Sequence, residues 1–338
     1  MARHVVVVGA GSISATWFKA LADQKVRVDA VVDMDLKRAQ GRISEFGMSA
    51  EASTDMVEML GKHQPDFILD LTIPESHCDV ACTAMEHGCH VLGEKPMAAT
   101  LADARRMVGT SEKTGMMYMV SQSRRWDANH ELVHRMITSG KIGPLTTINC
   151  DFYIGAHFGG FRDEMPSPLI LDMAIHQFDL ARYMGQCDAV DVFTHEFNPA
   201  GSWYKGNAAA TCIFQMSSGA VFTFRGSWCA EGCNTSWNGS WRFVGQKGTI
   251  IYENDRPPYG QVASGRKGFI RPQRDIKAPP ARMKRSAMQG SLAEMLEFLR
   301  SGKAPQTECH DNIKSLAMVF AAIDSARKRK VVPVRPLW

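Results

Sequence analysis

A run of four valines, Val5–Val8, ends directly in Gly9-Ala10-Gly11, and a segment with helical spacing follows at once, Ser12–Asp23, with Trp17, Phe18 and Leu21 as its apolar positions. A buried strand that turns on glycines into a helix is the opening of a βαβ unit. Gly9 suits the tight turn. Gly11 lets the backbone approach a pyrophosphate resting on the helix N-terminus, where unpaired N–H groups and the helix dipole favour an anion. The third small position of this pattern is Ser14 rather than glycine. Val26–Val32 reads as a second strand and closes on Asp33, 22 residues after Gly11. A carboxylate there accepts hydrogen bonds from ribose hydroxyls and repels a 2′-phosphate. The pattern implies a dinucleotide, with NAD favoured over NADP. Lys37 and Arg38 stand near enough to soften that preference.

The alternation continues to about residue 121. Helix Leu36–Phe46, strand Asp66–Leu71, helix Glu75–His87, strand His90–Leu92, helix Leu101–Thr114 and strand Met116–Val120 follow in turn. Short β-rich runs separated by helices imply a parallel sheet covered on both faces, which binds its ligand at the carboxyl ends of the strands. The pattern then changes. A helix over Ala128–Ser139, a strand over Leu145–Ile154 and a helix over Leu169–Met184 precede five strand-like runs: Val190–Phe197, Ala208–Gln215, Ala220–Gly226, Ser240–Val244 and Thr249–Tyr252. Two helices close the chain, Leu292–Leu299 and Ile313–Arg329. This predicts an α/β domain over residues 1–121 and an α+β domain over 122–338, built on a mostly antiparallel sheet. A length of 338 residues agrees, being more than one hydrophobic core usually serves.

Two segments carry chemistry. Gly93-Glu94-Lys95-Pro96 follows the predicted strand His90–Leu92 and so leaves the sheet at its carboxyl edge. Asp172 and His176 are four apart on a predicted helix and share one face, and Asp179 has the spacing to join them. Oxidising an alcohol requires a group that takes the hydroxyl proton, and histidine, which ordinarily titrates near neutrality, suits this task. A lysine ammonium stabilises the developing alkoxide. A carboxylate orients the substrate or the imidazole. Each feature alone has a plainer explanation: a surface lysine, a simple turn, a structural Asp–His pair. The combination is far more specific than its parts.

With these segments in this order, the chain resembles the glucose–fructose oxidoreductase/inositol dehydrogenase (Gfo/Idh/MocA) family over essentially its whole length. The resemblance implies a Rossmann domain followed by an α+β domain whose open sheet mediates contacts in homodimers or homotetramers. It implies hydride transfer between a nicotinamide and a hydroxyl carbon of a sugar, cyclitol or polyol. Lys95, Asp172 and His176 match the family's catalytic and substrate-contacting residues, with His176 as proton acceptor in oxidation. Gly9, Gly11, Ser12, Ile13, Asp33, Thr72, Ile73, Pro74, His77, Glu94, Lys95 and Gln122 are the expected cofactor contacts. Arg124 and Trp126, after the fifth strand, and His157 and Arg162, in a glycine-containing loop before the catalytic helix, are candidate substrate contacts. A domain-linking salt bridge for Arg124 or Arg125, and core packing for Trp126, are equally open. Two other functions compete: a relative that retains and recycles its cofactor in epimerising or glycoside-processing chemistry, and a dinucleotide-binding regulator without turnover. The intact Lys95, Asp172 and His176 argue against the regulator.

The remaining features exclude more than they suggest. The nine cysteines, an odd number without a C-x-x-C pair or zinc-finger spacing, read as reduced thiols of a cytoplasmic protein with no metal. No apolar run reaches the length of a membrane span. The four-residue apolar run at the start is too short for a signal peptide. Residues 256–285 hold nine Lys/Arg against one Asp, a local net of +8 in a chain of net +4, together with five prolines. They read as a solvated, irregular loop. Their basic residues have little aromatic interleaving, so a nucleic-acid partner is not expected.

Overall fold

In the computed structural model, which describes residues 3–336, the four valines form the centre of a six-stranded parallel sheet. Its strands are β1 (His4–Val8), β2 (Arg27–Val32), β3 (Glu51–Ser53), β4 (Phe67–Asp70), β5 (His90–Gly93) and β6 (Tyr118–Val120), in the order β3-β2-β1-β4-β5-β6. Helices α1 (Ser14–Asp23), α2 (Leu36–Glu45), α3 (Met56–His63), α4 (Pro74–Glu86) and α5 (Leu101–Thr114) connect them. Val5, Val6 and Val7 have no exposed surface, as strands covered on both faces require. The strand order reverses between β1 and β4, and in sheets of this kind a crevice opens there at the carboxyl ends. Register aligns those ends. Val8 pairs with Val32 and Asp70, Asp70 with Gly93, and Gly93 with Val120. Asp33, Gly9, Leu71, Glu94 and Ser121 therefore leave the sheet along a single edge.

The helix starts follow from side chains that satisfy unpaired N–H groups. Asp55 accepts from the N–H of Glu58, and Thr100 from that of Asp103. Neither β3 nor α3 is anticipated by periodicity, because one has three residues and the other about two turns.

The chain divides into two compact units, one comprising the residues up to Trp126 together with Lys284–Ile313, the other Asp127–Met283 together with Lys314–Pro336. The second unit contains α6 (Ala128–Thr138), β7 (Leu145–Tyr153), the short α7 (Phe161–Glu164) and a π-helical turn, Leu169–Ala174, that continues as α8 (Ile175–Gly185). Then come β8 (Ala189–Phe197), β9 (Ala209–Met216), β10 (Val221–Ser227), β11 (Ser240–Gly245), β12 (Gly248–Tyr252), β13 (Tyr259–Ala263) and β14 (Gln273–Lys277). With β15 (Val332–Pro333) they form a nine-stranded sheet, β14-β13-β12-β11-β7-β10-β9-β8-β15, antiparallel except where β7 meets β10.

Alternation along these strands gives the sheet one dry face. Ile148, Phe152, Phe222, Phe224 and Phe243 are fully buried on it. Phe178 of α8 packs there, its ring centre 4.9 Å from Phe214 and 5.5 Å from Phe224. The other face is open: Phe193, Phe197 and Ile213 are 42–45% exposed.

Two expectations are corrected. The basic segment 256–285 is not an irregular loop throughout, because β13 and β14 pair as an antiparallel hairpin, with Gly260 opposite Ile276, and extend the sheet. The helix expected over Leu292–Leu299 is the longer α9 (Ala287–Ser301), and it belongs to the first unit rather than the second. There Trp126 lies against Gly290, where an added Cβ would meet the indole Cγ at 2.4 Å. Gln24 Nε2 also donates to the Gln289 carbonyl at 2.9 Å. The last helix is α10 (Cys309–Lys328). Among the described residues no helix is long and apolar enough to cross a membrane.

Candidate cofactor and catalytic sites

The turn after β1 is built for close backbone approach. Gly9 has φ +101°, and an added Cβ would lie 2.7 Å from the Leu71 carbonyl carbon and oxygen, so no other residue fits. At Gly11 an added Cβ would meet nothing within 4 Å, leaving open space above the backbone. The first turn of α1 has no side-chain cap, as a helix end that receives a phosphate requires. Asp33 ties this turn to β2: its Oδ2 accepts from the Ala10 N–H at 2.8 Å and its Oδ1 from the Asp35 N–H at 2.9 Å. Arg42 of α2, which the sequence reading missed, donates to the Gly11 carbonyl at 3.1 Å and pairs with Glu45 at 2.6 Å. Lys37 and Arg38, near enough in sequence to soften the preference for NAD, lie on the exposed start of α2, and Arg38 approaches Asp35 at 3.6 Å.

The neighbouring strand ends carry a buried polar layer. Asp70, the last residue of β4, is fully buried, and its Oδ1 accepts from the Thr72 N–H (3.0 Å) and hydroxyl (2.6 Å). Burial pushes its carboxyl up. His77 is 1% exposed, with its ring nitrogens 2.9 Å from the Pro96 carbonyl and 3.1 Å from the Thr72 carbonyl. It thus braces the two loops from below. Pro74 opens α4, and Ile73 is 62% exposed beside it. Glu94 Oε1 accepts from the Trp17 indole N–H at 2.7 Å and Oε2 from the Lys95 N–H at 3.1 Å, and burial raises its carboxyl too. The Lys95–Pro96 peptide is cis. Both carboxylate oxygens of Glu94 thus brace the turn that carries Lys95. Gln122 follows β6 and is fully buried.

In the second unit, Asp172 sits in the π-helical turn and His176 in the first turn of α8. π-turns inside helices recur at functional sites. Nearly all of α8 is buried, and His176 is 7% exposed. Arg162 Nε donates to Asp172 Oδ2 at 2.7 Å. His157 stacks on Trp203, ring centres 3.6 Å apart, and its Nε2 is 3.0 Å from Glu231. Asp179 is fully buried and accepts from the Ser315 hydroxyl at 2.8 Å.

The first unit matches the profile of an oxidoreductase family with an NAD-binding Rossmann fold over residues 3–122, and residues 130–251 match the GFO/IDH/MocA C-terminal domain. The chain belongs to the Gfo/Idh/MocA family. It is 27% identical to D-apiose dehydrogenase of Paraburkholderia graminis, over 98% of this chain and 89% of that one. It is 25% identical to 1,5-anhydro-D-fructose reductase of Ensifer adhaerens, over 95% of each. The crystal structure of an oxidoreductase from Agrobacterium radiobacter in complex with NAD+, L-tartaric acid and magnesium has the same fold, with a TM-score of 0.85, 23% identity and 99% coverage of both chains. This Gfo/Idh/MocA protein is an NAD-binding oxidoreductase.

Some expected contacts are used otherwise. Trp126, offered as a sugar contact, is 5% exposed and packs on Gly290, so it is core and not a stacking surface. Arg125 is held inside the first unit by Asp311 at 2.6 Å and the Gln306 carbonyl at 2.8 Å. Arg124 lies in the 3-10 turn Ser123–Trp126. The sequence reading also lacks Asp70, whose bonds to Thr72 close a local turn, and the polar role of Trp17, whose bond to Glu94 depends on tertiary placement. Glu308, Cys309 and His310 bring one potential metal-ligand atom each within 4.8 Å of one another. Glu308 already accepts from the N–H groups of His310 and Asp311, and a helix N-terminus disfavours a cation.

Proposed function

We propose that this protein interconverts a hydroxyl and a carbonyl on a sugar, cyclitol or polyol. His176 takes the hydroxyl proton in the oxidation direction and returns it in the reverse. The Lys95 ammonium stabilises the developing alkoxide. Asp172 orients the substrate and the imidazole. Bound NAD supplies the hydride acceptor. The N–H groups of Ser12 and Ile13 would hold its pyrophosphate, Asp33 its adenosine ribose, and Thr72, Ile73, Pro74 and Gln122 would line it. The observation that carries this reading is the Asp172–His176 pair: two ionisable side chains one turn apart at the start of a largely buried helical segment, with Asp172 half-buried and held by Arg162. The later charges of that segment, Asp179 and Arg182, are engaged with Ser315 and Asp188, whereas the first pair has the residue types that acid–base chemistry needs. The names of the sugar-processing relatives point the same way.

A panel of sugars and polyols, followed by NADH absorbance with the purified protein, tests the proposal. Lys95→Ala and His176→Ala should each lower turnover about a hundredfold or more while NAD still binds. Near-normal turnover in both variants would falsify the mechanism. We further propose a homodimer or homotetramer assembled through the open face of the nine-stranded sheet. A cytoplasmic location fits nine cysteines that are free thiols.

A further inference from the structure

Arg162 carries more hydrogen-bonding capacity than its partner uses. Gly159 and Gly160, at φ +69° and +66°, turn the chain into α7 and bring the guanidinium to Asp172. Only Nε is engaged, with Asp172 Oδ2. Nη1 and Nη2 donate to no acceptor among the described residues. The guanidinium carbon lies 5.0 Å from the centre of the Phe158 ring and 4.7 Å from that of Phe161. Those rings are 45% and 66% exposed, and Trp237, 6.2 Å from Phe158, is 46% exposed. Orienting Asp172 uses one edge of the fork. The other end remains a planar pair of donors flanked by partly exposed aromatic rings.

We propose that Arg162 is the anchor for a sugar acid, an aldonate or uronate whose carboxylate docks on Nη1 and Nη2 while its C–H faces rest on Phe158 and Phe161. A guanidinium presents a side edge and an end as separate donor sets, so it bridges two carboxylates. Two parallel charge-assisted N–H···O bonds match the two coplanar oxygens of a carboxylate and exceed what a neutral hydroxyl gains. Aromatic walls reduce competing water and favour a ring or chain with an apolar face. The same contact places the substrate beside Asp172, so this inference rests on the oxidoreductase reading above and specifies its substrate class.

The test uses the full chain saturated with NAD and matched pairs of probes: D-gluconate against D-glucitol, and D-galacturonate against D-galactose. Calorimetric titration should show at least one acid binding tenfold or more tighter than its neutral partner, the scale of a charge-assisted contact. Arg162→Met should abolish that advantage, lowering acid affinity at least tenfold more than neutral-probe affinity while NAD affinity stays within about threefold, and Arg162→Lys should restore part of it. A merely structural Arg162 would weaken acid and neutral probes alike. Equal binding within both pairs, no binding by either acid, or tighter binding by D-glucose 6-phosphate than by either acid overturns the assignment. NADH formation in the same samples separates the two proposals. Turnover of neutral polyols without acid preference removes the anchor and keeps the oxidoreductase, whereas acid binding lost in Arg162→Met without turnover of any probe does the reverse.

Discussion

The hydroxyl of Ser14 donates to the carbonyl oxygen of Gly11 across 2.6 Å, so the residue that departs from the glycine pattern also closes the turn. Ser14 is fully buried. The Gly11 carbonyl accepts as well from the Ser14 N–H and from Arg42. Removing the hydroxyl therefore leaves no orphaned acceptor. Ser14→Ala should cost about 1 kcal/mol or less and leave NAD affinity within about threefold. Ser14→Val forces extra volume into a closed site, costs roughly 1–3 kcal/mol, and should weaken NAD binding clearly. Thermal melts and NAD titrations of the two variants check this, and equal behaviour would contradict it.

Asp33 holds the same turn from the other side. Its Oδ2 fixes the Ala10 N–H, so the carboxylate has a structural task besides the ribose contact proposed above. Asp33→Ala should lower NAD affinity about tenfold or more, through a lost charge-assisted bond and lost ribose contacts. It should also relieve repulsion of a 2′-phosphate, with Arg42 nearby to receive it. The ratio of catalytic efficiencies with NAD and NADP should therefore fall at least tenfold in this variant. An unchanged ratio would remove Asp33 from cofactor selection.

How far the sequence discloses this site depends on how local each signal is. α5 runs over Leu101–Thr114 as expected, because Thr100 caps its start and Gly115, at φ +72°, ends it. The cofactor edge is legible for a similar reason: each loop follows a β-rich run directly, and parallel register aligns their ends. The π-turn under Asp172 leaves no trace, since a helical pattern does not reveal one inserted residue. α9 is shortened in the reading by Gly290, whose reason is Trp126, a residue 164 positions earlier. The hairpin β13–β14 is hidden by the prolines and charges around it. Nothing near Arg42 in sequence shows that it reaches the Gly11 carbonyl, 31 residues away, whereas Asp70 bonds Thr72 only two residues on and lacks any sequence sign of its complete burial.

Glu196 offers a stability test outside the catalytic pair. Its Oε2 accepts from Ser167 at 3.1 Å and from Asn207 at 3.5 Å, and its Oε1 has no partner among the described residues. Burial pushes its carboxyl up from 4.5 to about 7. Below the unfolded value both states are protonated. As pH rises toward and through the folded value, the unfolded state releases its proton first, and folding must retain the proton or bury a charge. The stability Glu196 contributes is thus present at acid pH and lost across the window from 4.5 to about 7, by at most about 3 kcal/mol. Glu196→Gln has no such proton, so its melting temperature should decline less between pH 5 and 8 than that of the parent. Equal slopes would show that Glu196 titrates normally.

The open face of the nine-stranded sheet sets the final prediction. Phe193 and Ile213 are directly opposed across β8 and β9, and both are more than 40% exposed, with Phe197 on the same face. On β10 and β7 beside them, Arg225 and Asp151 form a two-bond ion pair at 2.7 and 2.8 Å. An apolar strip bordered by paired charges is the composition of an interface core with a polar rim. A second copy of the same sheet face satisfies it with two-fold symmetry, since like patches then meet. Phe193→Asp with Ile213→Asp would place four carboxylates in the symmetric contact of a dimer, where each unpaired buried charge costs several kcal/mol. Light scattering should show the parent as a dimer or tetramer and the double variant as a smaller species, with NAD affinity intact because the cofactor turn lies in the other unit. A parent that is monomeric at micromolar concentration would leave this face without a partner of its own kind.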